Sequence, residues 1–294
     1  MALVINTNNA ALNGARNLAK TQDAQSQTFN RLSTGLRINS AKDDAAGLYL
    51  AQSQTKDIRG LNMATRNAGD GISMAQTAEG ALDQITSNLQ RINELAIQSA
   101  NGTYNTAARA GLQKEVDQLT QEITRIVDTT EFNGQKLLDS KAEALTMQVG
   151  NQNGTGYQVE AGLSGGLVAA LSAAAGKMGS TALHAITAKK LDGTNAINIS
   201  SQAKAQSAIG ITRNAIDGIS AIRATFGAVM NRFEAVISGN QTYSENLQAA
   251  RSRVQDADFA VETSNLAKQQ VLQQAGVAAL GQANASSQVV LGLL

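Results

Sequence analysis

Between residues 11 and 36 the chain repeats a stripe at alternating steps of four and three: Ala11, Ala15, Leu18, Gln22, Gln25, Phe29, Leu32 and Leu36. That spacing predicts a helix with a narrow heptad seam, which is buried only when a second helix lies along it. The helix is expected over residues 3–36, tolerating Gly14 inside and ending at Gly35. Nothing close by in sequence offers a partner. The same stepping returns near the other end, at Phe259, Thr263, Leu266, Gln270, Gln273, Val277, Leu280, Asn284, Ser287 and Leu291. Each stripe carries a glutamine pair in mid-course, Gln22 with Gln25 and Gln270 with Gln273. The second stripe is therefore the expected partner of the first, with the glutamines opposed as a register device.

The intervening chain is mostly helical in pattern. Residues 36–48 read as a spoke or hinge with a polar knot at Lys42, Asp43 and Asp44, and a new helix is predicted to start near Ser40 or Asp43. Over 49–100 the positions Ala75, Ala78, Leu82, Ile85, Leu89, Ile92, Ala96 and Ser99 share a face. Gly69-Asp70-Gly71 predicts a bend, and Asn101-Gly102 a helix end. Another helix is expected over 106–128, with Leu112, Val116, Leu119, Ile123 and Ile126 inward. The period then changes. Phe132-Asn133-Gly134-Gln135 is a turn, and runs 146–149 and 157–160, separated by Gly- and Asn-rich chain, predict a β-hairpin. Residues 161–202 shift in composition and read as a variable insert. From 203 a helix with Ile209, Ile216, Ile219, Phe226, Met230, Phe233 and Ile237 on one face runs to an interruption at Gly239-Asn240, and 249–294 is a further long stretch.

The expected fold class is mainly α: a long helical hairpin or coiled-coil rod with paired N- and C-termini, plus a small β-hairpin region and a small central insert. Three regions follow: 1–40 with 255–294 as a terminal coiled coil, 41–160 with 203–254 as a helical domain holding the hairpin near 146–160, and 161–202 as an exposed insert.

Composition narrows the chemistry. Aromatics are 3% and tryptophan is absent, so a 43% hydrophobic chain of 294 residues must pack with Ala, Leu, Ile and Val. Proline is absent, which permits long unbroken helices. Cysteine is absent, which removes disulfides and thiolate sites. A net charge of +1 gives no field for nucleic acid or an anionic membrane, and neither is expected as a partner. The first six residues lack the basic and apolar regions of a cleavable secretory signal, and no apolar run is long enough to span a bilayer.

Catalytic arrangements are weak. His184 is the single histidine and lies in the insert. Asp43 and Asp44 suit a helix start better than a metal site. Gly176-Lys177 lacks the earlier glycine of a phosphate loop, where Leu171 stands, and has Met178 where Ser or Thr is needed. No cofactor, metal or enzymatic activity is expected, and an enzyme in an insert of about 40 residues is too small for an independent core. What remains is a self-assembling rod whose seams need neighbours, and contacts that do not close into a ring build filaments.

The run Arg31-Leu32-Ser33-Thr34-Gly35-Leu36-Arg37-Ile38-Asn39-Ser40-Ala41-Lys42-Asp43-Asp44-Ala45-Ala46-Gly47-Leu48 resembles the N-terminal signature of bacterial flagellin. Ile72-Ser73-Met74-Ala75-Gln76-Thr77-Ala78-Glu79-Gly80-Ala81-Leu82 continues it. Gly227-Ala228-Val229-Met230-Asn231-Arg232-Phe233-Glu234, Leu272-Gln273-Gln274-Ala275-Gly276 and Gln282-Ala283-Asn284 agree in the second half. The resemblance spans about 1–160 and 203–294. It differs at Thr34, at Tyr49, at Asn93 where many relatives carry a basic residue, and in the lack of an arginine after Leu294.

The resemblance implies a secreted subunit that polymerises into the extracellular flagellar filament used for swimming, with a hook–filament junction protein as the alternative. Self-assembly is then expected at Ala11, Leu18, Phe29, Leu32, Leu36, Phe259, Leu266, Val277, Leu280 and Leu291. It also implies export through the flagellar type III apparatus, an export chaperone on the C-terminus, contacts with filament cap and hook-junction proteins, and recognition by a host flagellin-sensing Toll-like receptor. The positions matching the receptor-facing surface are Gln90, Arg91, Leu95, Gln98 and Glu115.

Overall fold

The computed structural model describes residues 8–139, 142, 145–162 and 197–291, with the side chains of the last helix followed to residue 285. Five long helices dominate: α1 (Asn9–Thr34), α2 (Ala45–Ala100), α3 (Thr106–Thr129), α4 (Gln202–Gln255) and α5 (Phe259–Leu291). Two short antiparallel hairpins lie between α3 and α4: β1 (Glu131–Phe132) with β2 (Gln135–Lys136), and β3 (Leu145–Gln148) with β4 (Gln158–Ala161). The chain divides into two compact units, residues 59–244 and residues 1–58 with 245–294.

In the 59–244 unit the predicted stripe of α2 is buried along its whole length. Ala75, Ala78, Leu82, Ile85, Leu89, Ile92, Ala96 and Ser99 are all 1% exposed or less. They join one core with Val116, Ile123 and Val127 of α3 and Ile219, Ile222, Phe226 and Phe233 of α4. Each fully buried Leu, Ile or Phe contributes about 1.5–3 kcal/mol, so this stripe accounts for much of the unit's cohesion.

The predicted bend at Gly69-Asp70-Gly71 is absent, and α2 runs through it unbroken. Gly71 instead makes room for an aromatic ring: a Cβ there would stand 2.7 Å from Cζ of Phe233. The chain thus accepts a helix-propensity penalty of about 1 kcal/mol to seat its largest fully buried side chain. The predicted interruption at Gly239-Asn240 is likewise absent, since α4 continues to Gln255. Asn240 serves tertiary structure, its Nδ2 donating to the carbonyl of Val149 at 3.0 Å. From the other side Asn67 Nδ2 donates to the Gln148 carbonyl at 2.9 Å. Two helices therefore hold the end of β3 by its backbone oxygens.

The β1–β2 turn has Asn133 at φ 51° and Gly134 at φ 78°, the paired positive φ values of a two-residue hairpin whose twist matches its strands. The β3–β4 ladder pairs Met147 with Val159 and Thr146 with Glu160, within one residue of the predicted runs. Most of the predicted insert, including His184, lies outside the described residues. Where the chain returns, Ile197 and Ile199 are buried. Gln113 of α3 clamps that return: Ile199 N donates to its Oε1 at 2.6 Å, and its Nε2 donates to the Ile197 carbonyl at 2.9 Å. One carboxamide thereby stands in for a neighbouring strand.

In the other unit α1 packs against α5. Asn8 caps α1, its Oδ1 accepting from Ala11 N at 3.0 Å, and Gly35 ends it at φ 71° as predicted. α2 begins at Ala45 rather than Ser40 or Asp43 because Asp44 is the cap, with its Oδ1 accepting from Gly47 N at 2.9 Å. The predicted single stretch 249–294 is broken at 256–258, where Asp258 Oδ1 takes the N–H of Ala260 at 2.9 Å and starts α5. A lone antiparallel bridge joins Leu36 to Asp256 at this corner.

Candidate self-assembly surfaces of the terminal helices

The first and last stripes do pair, but the pairing phase differs from the prediction at every second position. On α1 the inward residues are Ala11, Gly14, Leu18, Thr21, Gln25, Thr28 and Leu32. On α5 they are Glu262, Leu266, Gln269, Gln273, Gly276, Leu280 and Ala283. Residues seven apart, such as Ala11, Leu18, Gln25 and Leu32, belong to both possible phases. The alternate ones do not: Ala15, Gln22 and Phe29 point away from the seam, as do Thr263, Gln270, Val277 and Asn284. Bulk misleads here. Phe29 and Val277 look like seam residues and are 63% and 58% exposed, while their neighbours Thr28 and Gly276 face the partner helix.

Close approach explains the choice. A Cβ on Gly14 would lie 2.8 Å from Cδ2 of Leu280, and one on Gly276 would lie 3.4 Å from Cδ1 of Leu18. Each helix thus offers a glycine to the other's leucine, and small residues let the two axes draw together. Gly14 in α1 and Gly276 in α5, each mid-helix with no turn nearby and four residues before a seam leucine, were the signal that bulk-weighted reading overlooked.

Register is set by polar contacts that the glutamine pairs do not make. Gln22 and Gln270 are exposed, so the predicted Gln22–Gln25 to Gln270–Gln273 opposition is not the lock. The ties are Arg31 Nη1 to Glu262 Oε1 at 3.1 Å, Gln269 Nε2 to Thr28 Oγ1 at 3.1 Å and Asn8 Nδ2 to the Ala283 carbonyl at 3.0 Å. Glu262 is buried, and its Oε2, the Nε of Arg31 and Oε1 of Gln269 have no hydrogen-bond partner. At the corner Arg37 N donates to the Gln255 carbonyl at 2.7 Å and Ala257 N to the Gly35 carbonyl at 2.9 Å. Asp43 ties the hinge to α1, accepting from Asn39 N, Ser40 N and Ser40 Oγ at Oδ2 and from Gln27 Nε2 at Oδ1. Its carboxyl is held below the usual range, first by the Ser40 backbone N–H and then by the Ser40 hydroxyl.

The seam uses one narrow side of α5. Phe259, Val261, Val271, Leu272 and Val277 remain 48–64% exposed elsewhere on it, and Leu12 and Phe29 do so on α1. A helix that is apolar around its circumference belongs in a larger core than one neighbour provides. Of the ten residues predicted for self-assembly, Ala11, Leu18, Leu32, Leu36, Leu266 and Leu280 are half-buried. Phe29, Phe259 and Val277 are bare, and the side chain of Leu291 lies outside the described ones. Among the described residues no group of three or more metal-ligating side chains exists, and no helix is long and apolar enough to cross a membrane.

The comparisons with known proteins decide the family. The bacterial flagellin N-terminal helical region matches residues 5–143, and the bacterial flagellin C-terminal helical region matches residues 209–294. The flagellin of Halalkalibacterium halodurans is 41% identical over 99% of this chain and its own full length. The chain belongs to the bacterial flagellin family. The flagellin of Xenorhabdus nematophila is 42% identical, with both chains covered in full. A solved putative flagellar hook-associated protein from Vibrio parahaemolyticus superposes with a TM-score of 0.57 at 12% identity, covering 73% of this chain and all of that one, which shows a shared fold. Flagellins are structural proteins of the extracellular flagellar filament and not enzymes.

In this flagellin the five positions matched to a receptor-facing surface do not share one surface. Gln90, Arg91, Gln98 and Glu115 are exposed, but Leu95 is 1% exposed and belongs to the core. It follows Ile92 on the buried stripe of α2, so helical period alone places it inward. Arg91 bridges α2 and α3, with Nη2 2.8 Å from Glu115 Oε1 and Nη1 3.0 Å from Glu94 Oε2. Those carboxylates raise the guanidinium pKa, Glu94 first. Gln98 Nε2 donates to the Tyr104 hydroxyl at 2.8 Å.

Two measurements check the seam. Glu262→Ala leaves Arg31 facing a half-buried gap and is expected to cost the terminal unit about 2 kcal/mol, less than a fully buried pair because Arg31 is partly solvated; Gln22→Leu should leave stability within about 0.5 kcal/mol. Urea unfolding followed by circular dichroism separates them, and equal effects would contradict the assigned phase. The lowered pKa of Asp43 means its contribution is present above the ordinary carboxylate pKa and lost as pH falls through the lower folded value. Wild type should therefore exceed Asp43→Asn in thermal stability near neutral pH, and the difference should shrink progressively as the solution is acidified below the ordinary carboxylate range.

Proposed function

We propose that this chain is the subunit of a helical flagellar filament, joined to its copies through the outer faces of α1 and α5. The observation that carries the reading is the exposed apolar surface of α5, at Val261, Val271, Leu272 and Val277, beside an already occupied seam. Burying such side chains between copies supplies cohesion that the paired helices lack alone, at about 25 cal/mol per Å² of apolar surface. Heterologous contacts that do not close extend without limit, which suits a filament. The ten predicted residues then divide by role. Ala11, Leu18, Leu32, Leu36, Leu266 and Leu280 build the pair, whereas Phe29, Phe259 and Val277 serve contacts between copies, with Leu291 extending the same helix. Filament cap, hook-junction and export-chaperone partners follow from the family reading, as does a secreted destination. Identity above 40% to flagellins over full length supports the filament subunit over a hook–filament junction protein.

The double variant Val271→Asp/Val277→Asp should keep wild-type helicity in the monomer and lose polymerisation. Electron microscopy with sedimentation reads both: full-length filaments from the variant would sink the assignment, and short, self-limiting wild-type polymers would favour a junction protein.

The exposed ridge of Gln90, Arg91, Gln98 and Glu115 supports a second reading, recognition by an animal flagellin-sensing receptor. The Arg91–Glu115 bridge holds side chains from two helices in one exposed patch. Arg91→Ala should weaken receptor signalling by about tenfold in a reporter cell assay, the scale of one charge-assisted contact; Leu95→Ala should act through stability instead. An unchanged dose response for Arg91→Ala removes the reading.

A further inference from the structure

We infer that Met63 is a site of oxygen-atom transfer from peroxide, and that its sulfoxide rewrites the surface beneath the β3–β4 hairpin. Met63 sits on α2 and is 49% exposed. It lines an open cavity of about 400 Å³ between α2 and the hairpin tip, with Asn67 beside it and Gln148, Gly150 and Gln152 opposite. The other described methionines differ. Met74 is 1% exposed, and Met147 and Met230 are half-buried. A thioether oxidises when its sulfur is reachable by the oxidant, so accessibility ranks these four.

The surroundings of the sulfur add a second element. Nη2 of Arg66, one turn further along α2, is directed at Met63 Sδ. A thioether accepts hydrogen bonds weakly and a sulfoxide oxygen accepts them strongly. The guanidinium is thus already placed to hold the product. In the reaction a sulfur lone pair attacks one oxygen of hydrogen peroxide and the O–O bond breaks. The S–O bond forms, and the departing oxygen leaves as water after proton transfer. Sulfur loses two electrons and peroxide gains them. An apolar, flexible side chain becomes a polar, chiral one at the mouth of the cavity, while the packed stripe of α2 is untouched. The cavity wall opposite is the hairpin end that Asn67 and Asn240 hold by the carbonyls of Gln148 and Val149. Oxidation therefore changes the polarity of a surface next to an anchored element without unfolding it.

The test treats the full-length monomer with dilute hydrogen peroxide and follows each methionine by peptide mass spectrometry over time. Met63 should gain one oxygen about tenfold faster than Met74 and several-fold faster than Met147 or Met230. Far-ultraviolet circular dichroism should not change while only Met63 is modified. Met63→Leu should fold normally and remove the fast phase, and Arg66→Gln should leave the fast phase present, since exposure rather than the guanidinium sets the rate. Oxidation of Met63 at or below the rate of Met147 or Met230 overturns the inference, as does loss of helicity in step with its oxidation.

Discussion

The closeness of α1 and α5 is the constraint on which the terminal unit depends. Gly14 under Leu280 and Gly276 under Leu18 let two helices with few large side chains share an interface. Once the axes are that near, polar residues of the seam can only be satisfied across it. Thr28 reaches Gln269, Arg31 reaches Glu262, and Asn8 reaches the Ala283 carbonyl. The unpartnered Glu262 Oε2, Arg31 Nε and Gln269 Oε1 show that satisfaction is incomplete. An interface built this way is specific in register and direction but modest in energy, because buried polar groups recover little beyond their desolvation. It is consistent with a unit that leaves further stabilisation to its neighbours.

The 59–244 unit works by the opposite economy. Its core is a continuous set of Ala, Leu, Ile, Val, Met and Phe side chains with almost no solvent access. Polar groups there are used at the margins, to fasten chain that lacks a regular partner. Gln113 pairs with the backbone at 197–199, Ser99 Oγ donates to the Ile199 carbonyl at 2.6 Å, and Asn67 and Asn240 hold the hairpin. Side-chain amides thus replace missing ladder bonds where α-helices meet irregular segments, which satisfies backbone groups that burial would otherwise leave costly. The chain returns from its central insert beside the fastenings that Gln113 and Ser99 supply.

The exposed surfaces divide in the same way. On α5 apolar residues remain bare because the seam occupies one side only. Between α2 and α3 one exposed charged pair, Arg91 with Glu115, bridges the two helices. Solvated pairs of this kind contribute little to stability.

Much of this was legible in the order of residues. Five helices, both hairpin turns, the glycine stop at Gly35 and the buried stripe from Ala75 to Ser99 follow from periodicity and turn chemistry, which are local properties. The long-range pairing of the termini was legible too, since two stripes with the same stepping and no local partner call for each other. What sequence could not settle was phase. Heptad positions seven apart satisfy either of two faces, and the apolar weight of Phe29 and Val277 favoured the wrong one. Glycines misled for a related reason: alone they signal bends at 69–71 and 239–240, but the structure keeps both helices continuous, spending Gly71 on the ring of Phe233. Whether a small residue is a weak point or a seat for a neighbour depends on which side chain arrives from elsewhere in the chain. The sequence by itself determined which elements form and which of them must pair; only the tertiary structure decided which face of each helix does the pairing, because that choice is made by the distance between two axes and not by either helix alone.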